Sequence, residues 1–175
     1  MFTKNSRNRY DKKDSLELGQ NAESKFAEAA KKLGWIISPA SQQGNMNEHY
    51  DYLIKKDEKA FKVEVKSLKR MSRSDSSVQD QFIWIELHGV RKNDKGWLYG
   101  FADLIAFEMT RSFRIVKRID LVGLVNSLVD FNTKVSLPKD ALYKLYSRQG
   151  RPDVLTIIKS DDLLNIQSTE WKKTD

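Results

Sequence analysis

Cysteine is absent from this chain of 175 residues, and histidine occurs only 2 times. Without thiols there are no disulfides and no thiolate metal sites, and two histidines alone do not make a structural zinc centre. The lack of cysteine also fits a reducing, cytoplasmic setting. Proline is scarce, at 3 residues, and no Pro/Gly linker or internal repeat divides the sequence. No apolar run approaches the length of a membrane span. The opening Met1-Phe2-Thr3-Lys4-Asn5-Ser6-Arg7 lacks the hydrophobic stretch of a secretion signal. The apolar fraction is low, 39%, yet a chain of this length still buries a core and reads as one domain.

What the chain has in excess is positive charge: 31 Lys and Arg against 24 Asp and Glu, a net +7. The basic residues cluster at Lys4, Arg7, Arg9, Lys12 and Lys13, again from Lys59 to Arg73, and again from Arg111 to Arg118. Such clustering favours a polyanionic partner, nucleic acid being the commonest, with a merely solubilising surface as the alternative. The first cluster, in residues 1–13, has no hydrophobic periodicity and reads as a flexible basic arm ahead of a domain over 14–175.

Hydrophobic periodicity organises the rest. Asp14-Ser15-Leu16-Glu17 opens a helix, Ala22, Phe26, Ala29, Ala30 and Leu33 repeat at helical spacing, and Gly34 stops it, so a helix is expected over 15–33. Trp35 to Ile37 begins a strand that Pro39 ends, and 38–47 is a polar loop. Tyr50 to Ile54 and Ala60 to Lys66 read as strands joined by a charged turn over 55–59. A Ser-rich basic loop over 67–79 precedes an alternating strand over 81–90 and an apolar, strand-like run over 97–107. A further strand over 114–119, a helix over 120–131, a short helix over 141–146, a strand over 154–158 and a turn at 161–164 complete a mixed α/β arrangement.

The informative triplet is Glu64-Val65-Lys66. In a strand, Val63 and Val65 point one way and Glu64 and Lys66 the other. Asp51, on the preceding strand, supplies a second carboxylate. Hard oxygen ligands of this kind suit magnesium, and the backbone carbonyl of Val65 offers a third. A divalent ion also removes the repulsion between the two carboxylates. Lys66 is placed to orient or deprotonate a water and to offset charge in the transition state of phosphodiester hydrolysis. The alternative is a solvated strand face on which Glu64 and Lys66 form a pair worth under ~1 kcal/mol.

Together with Gly19-Gln20-Asn21-Ala22-Glu23 on the first helix, these residues resemble the PD-(D/E)xK nuclease superfamily over 15–66. The proline before the aspartate is missing, and Tyr50 stands there. The resemblance implies a restriction endonuclease-like fold, a mixed central sheet flanked by helices. It implies a magnesium-dependent nuclease, with manganese able to substitute, acting on DNA ahead of RNA, and catalytic residues Asp51, Glu64, Lys66 and Glu23. Glu23 would help hold the metal or its waters. A homodimer is plausible by the same analogy, and a structure-selective or short-site endonuclease suits a phage or mobile element. The competing functions are a non-catalytic nucleic-acid-binding module on the same fold and a protein-binding protein.

Other residues carry weaker signals. Lys69, Arg70 and Arg73 in the loop after Lys66 are placed to grip the DNA backbone. Arg148 and Arg151 flank Gly150 and either clamp phosphate or serve structure, Arg151 by pairing with Asp153. Gln79 and Gln81 lie near a substrate or in a plain loop. His49, His88 and Glu86 are open between a chemical and a packing role. Trp84, Trp97, Tyr99 and Phe101 form an aromatic-rich middle that either stacks unpaired bases or fills the core.

Overall fold

A computed structural model describes residues 4–72 and 74–174, with the backbone alone for 4–12. The first helix, α1 (Lys4–Lys32), is longer than its apolar stripe. Ala22, Phe26, Ala29 and Ala30 are buried at helical spacing, whereas Leu33 lies past the helix and is exposed. The stretch read as a flexible arm is helical from Lys4 onward. It contains no proline or glycine to interrupt the hydrogen-bond ladder before Gly19. Gly34, at φ +82°, ends α1: its N–H donates to Lys31 and that of Trp35 to Ala30, the double C-terminal cap that a left-handed glycine allows.

A run of strands follows. β1 (Ile36–Pro39), β2 (Tyr52–Lys56) and β3 (Lys59–Lys66) form an antiparallel meander whose last turn is only Asp57-Glu58, with Asp57 left-handed at φ 52°. β4 (Phe82–His88) leaves for a second sheet. β5 (Leu104–Glu108) returns to pair in parallel with β3, and β6 (Ser112–Lys117) is antiparallel to β5. The apolar run over 97–107 is therefore a strand only at its end. Between Gly96 and Gly100 it is a 3₁₀ turn, Trp97–Tyr99.

The second helix, α2 (Arg118–Leu128), is followed by β7 (Asp130–Val135), β8 (Lys144–Ser147) and β9 (Val154–Lys159), and β10 (Ser168–Lys172) closes the chain against β6. The segment expected as a helix over 141–146 instead carries β8. Tyr143, left-handed at φ 56°, breaks any helix there, and pairing with β7 and β9 takes up the backbone. The result is a six-stranded mixed sheet in the order β1-β2-β3-β5-β6-β10 and a four-stranded mixed sheet in the order β4-β9-β8-β7. The expected mixed α/β arrangement is thus present, as two mixed sheets with a few helices among them. Among the described residues no helix is long and apolar enough to cross a membrane.

Both faces of the six-stranded sheet are covered, and alternation sorts its side chains. Val63, Val65 and Ala106 join Phe26 of α1, Phe113 and Ile115 in one core. Ile105 and Phe107 point the other way, into a second core with Val116 of β6, Leu121 and Val125 of α2, and Ile83, Ile85 and Ile158 of the second sheet. Glu64 and Lys66, alternating with Val63 and Val65, must therefore emerge on the side toward the second sheet. That placement makes Glu64 a buried carboxylate, 6% exposed, rather than part of a solvated face.

Candidate active site

Asp51 is fixed before its side chain is considered. Its N–H donates to Val63 O at 2.8 Å, and its carbonyl accepts from Ala40 N at 2.8 Å, so it extends the ladder between β1 and β3. The side chain then turns to β3: Oδ2 accepts the Val65 N–H at 2.7 Å and Oδ1 accepts Asn45 Nδ2 at 2.8 Å. Asn45 comes from a π-helical segment, Gly44–Glu48, inside the stretch expected to be a plain polar loop. Gly44 makes that segment possible, because a Cβ there would meet the Tyr50 ring and hydroxyl within 3.0 Å. Asn45 is an orienting residue that the sequence pattern did not point to.

Glu64 and Lys66 are hydrogen-bonded to each other through Oε1 and Nζ. The Lys66 ammonium also lies 5.0 Å from the centre of the Trp97 ring, a cation–π contact. Trp97 reaches this position because Gly96 packs directly on β4; a Cβ there would stand 2.2 Å from Glu86 O. Glu23 of α1, Asp51, Glu64, Val65, Lys66 and Lys69 line one cavity of about 310 Å³, which Glu86 and Trp97 complete from the side of β4.

The electrostatics are those of crowded negative charge. Burial, then Glu64, raises the Asp51 carboxyl to about 7, against which the Val65 N–H and Lys66 pull down. Burial and Glu64 likewise raise Glu23, and burial raises Glu86 despite the nearby Lys66. Burial works against the Lys66 ammonium, but Glu64, Asp51 and Glu86 outweigh it and hold its pKa above the ordinary lysine value. In the metal-free protein Lys66 is therefore a charged donor at neutral pH, suited to orienting a water.

A divalent cation fits this donor set. Asp51 and Glu64 are hard oxygen ligands, half-buried and buried, each oxygen has lone pairs beyond the hydrogen bonds named above, and the cluster is short of positive charge. No group of three or more His, Asp or Glu side chains close enough to hold a metal by themselves occurs among the described residues. The donor set is accordingly two carboxylates with the main chain of Val65, and Glu23 stands beside them.

The other residues divide sharply. Lys69 lines the cavity, half-buried, its pKa lowered by burial and by Lys66. Arg70 is exposed and pairs with Asp14 of α1 at 3.5 Å. Arg73 lies outside the described residues. Arg148 is ion-paired with the buried Asp153, the partner considered for Arg151, which stands exposed on the Gly150 turn. Gln79 is consumed by the main chain: Nε2 donates to Lys69 O and Phe82 O, and Oε1 accepts from the N–H groups of Gln81 and Phe82. His49, left-handed at φ 52°, turns to Asp94 Oδ1 at 3.2 Å, and His88 Nδ1 lies 2.8 Å from Gly89 O. Trp97 is core, Tyr99 and Phe101 are exposed, and Trp84 packs on Tyr146 with ring centres 5.2 Å apart.

Compared with models of protein families, with curated proteins and with solved structures, the chain matches none of them.

Proposed function

We propose that this protein is a metal-dependent nuclease that hydrolyses phosphodiester bonds of DNA, as an endonuclease with a structure or short-site preference. One observation carries the reading: Glu23, Asp51 and Glu64, from three separate segments, meet around the ammonium of Lys66 in one cavity. A binding module has no use for this arrangement, since uncompensated carboxylates repel phosphate. The resemblance to PD-(D/E)xK nucleases over 15–66 rests on the same residues, and a mixed sheet with a helix on one face agrees with it.

Asp51, Glu64 and the Val65 carbonyl would hold magnesium or manganese, with Glu23 beside them for its waters. When bound, the ion would polarise the phosphodiester and lower the pKa of a water. The chain itself does the rest. Lys66, kept protonated by Glu64 and Asp51, donates to the attacking water or to a phosphate oxygen and offsets the charge that builds there. Asn45 and the Val65 N–H hold Asp51 in place. Lys69 faces the cavity as the nearest cation for the flanking phosphate.

The test is turnover. Purified protein should nick or cut plasmid, linear or branched DNA with magnesium or manganese and not with EDTA. Lys66→Ala should lose about 100-fold or more in rate while still binding metal. Asp51→Ala and Glu64→Ala should lose metal binding by calorimetry as well. A wild type that cuts no DNA under these conditions overturns the proposal.

A further inference from the structure

A second cavity, of about 330 Å³, adjoins the carboxylate cavity and shares Lys69, Trp84 and Leu155 with it. Its wall combines an aromatic pair, Trp84 and Tyr146, with the cations Lys69, Arg70 and Arg148. Among the described residues the only carboxylate in the lining is Asp14, which is paired with Arg70. Lys69 sits at the join. It is half-buried, and among the described residues no carboxylate lies within ion-pair distance of it, Glu86 and Asp14 acting on it only from farther away. Its backbone is pinned, because its carbonyl accepts both the N–H and Nε2 of Gln79 at 3.1 and 3.0 Å. A half-buried ammonium without such a carboxylate, held in place between two cavities, is prepared for an anion brought by a ligand.

We infer that this second cavity receives one unpaired nucleotide of the DNA strand held at the carboxylate site, its base against Trp84 and its phosphate at Lys69. The inference rests on the nuclease reading and names its substrate class: DNA with an unpaired or extruded nucleotide, in place of uninterrupted duplex. Size and chemistry agree. The cavity has room for one base, and a base within duplex has both faces covered by its neighbours, so only an unpaired or extruded one can lie against Trp84. An aromatic wall beside cations is the arrangement that binds unpaired bases without reading their identity. Trp84 is anchored for that role, since its Nε1 donates to Arg70 O at 3.3 Å.

Three labelled DNA duplexes test this, with calcium replacing magnesium so that binding is read without cutting. One is fully paired, one carries a single unpaired nucleotide, and one carries an abasic residue at that position. The unpaired-nucleotide duplex should bind about tenfold more tightly than either of the others. Trp84→Leu should remove that preference and Trp84→Phe should retain it. Lys69→Met, which replaces the ammonium at the join of the two cavities, should weaken the unpaired-nucleotide duplex more than the paired one; it carries the test if Trp84→Leu does not fold. Equal affinity of the wild type for all three duplexes overturns the inference, as does a preference that survives both Trp84→Leu and Lys69→Met. The nuclease reading is judged separately, by whether magnesium restores cutting of any of the three.

Discussion

Glu64 on β3 and Glu108 on β5 stand on paired strands, line the same cavity and are both nearly buried, yet their surroundings are opposite. Glu108 is surrounded by donors. Lys173 Nζ lies 2.8 Å and Lys25 Nζ 3.8 Å from its Oε1, and the Leu68 N–H donates to Oε2 at 3.1 Å. It ties α1, the loop after β3 and the end of the chain into one knot. Glu64 instead shares the ammonium of Lys66 with Asp51, Glu23 and Glu86, and Glu64, Asp51 and Glu23 crowd one another. The same residue type, similarly buried, closes a structure in one place and leaves an unmet demand for positive charge in the other. A balanced cluster is what stability favours; an unbalanced one carries a cost, and that cost is what supports the proposed function.

The largest expected effect separates the two glutamates by stability. Glu108→Ala leaves Lys173 and the Leu68 N–H without their partner and should cost about 3 kcal/mol in a urea titration. Glu64→Gln keeps the shape and relieves the repulsion with Asp51 and Glu23, so in metal-free protein it should cost less than half as much. Equal costs would mean that both clusters are structural.

A smaller effect follows from pH. The Asp51 carboxyl titrates at about 7 in the folded protein, against 3.8 ordinarily. Between those values the folded protein holds a proton that the unfolded chain has released, so the stability of metal-free protein should fall as pH rises from about 4 to about 7. Asp51→Asn should flatten that slope. Magnesium, which binds the ionised form, should raise the melting temperature more at pH 8 than at pH 5. A magnesium shift that is the same at both values would remove Asp51 from the metal site.

The smallest effect concerns the cations beyond the cluster. Replacing Lys69, Arg70 and Arg73 by Gln should flatten the dependence of DNA affinity on salt by about 0.9 in log–log slope for each phosphate that is no longer neutralised. At saturating DNA the cutting rate should change little, because the carboxylates and Lys66 are untouched. An unchanged salt slope would show that DNA does not pass over this loop.

Much of the local structure was legible in sequence, and its failures have identifiable causes. The α1 stripe, the Gly34 stop and the β2–β3 hairpin follow from periodicity and turn chemistry. The run over 97–107 misled because hydrophobicity alone does not separate a strand from a buried 3₁₀ turn bracketed by glycines. β7 and β10 escaped notice because they are polar edge strands, exposed along much of their length, with little alternation to read. Arg148 and Gln79 looked available for substrate and are engaged by Asp153 and by main-chain groups, partners that only packing reveals.

By itself the sequence determined the pairing of charged side chains on β3. Strand alternation puts Glu64 and Lys66 together and away from Val63 and Val65 whatever the rest of the chain does, and the net charge of +7 is a property of composition. Only the tertiary structure decided what surrounds them. Parallel pairing of β5 with β3 and the packing of the second sheet bury Glu64, bring Glu86 and Trp97 from beyond residue 80, and set Glu23 and Lys69 at the rim. Those neighbours set the pKa values and enclose the cavity. Electrostatic coupling depends on distance and on exclusion of water, and neither quantity is carried by the order of residues along the chain.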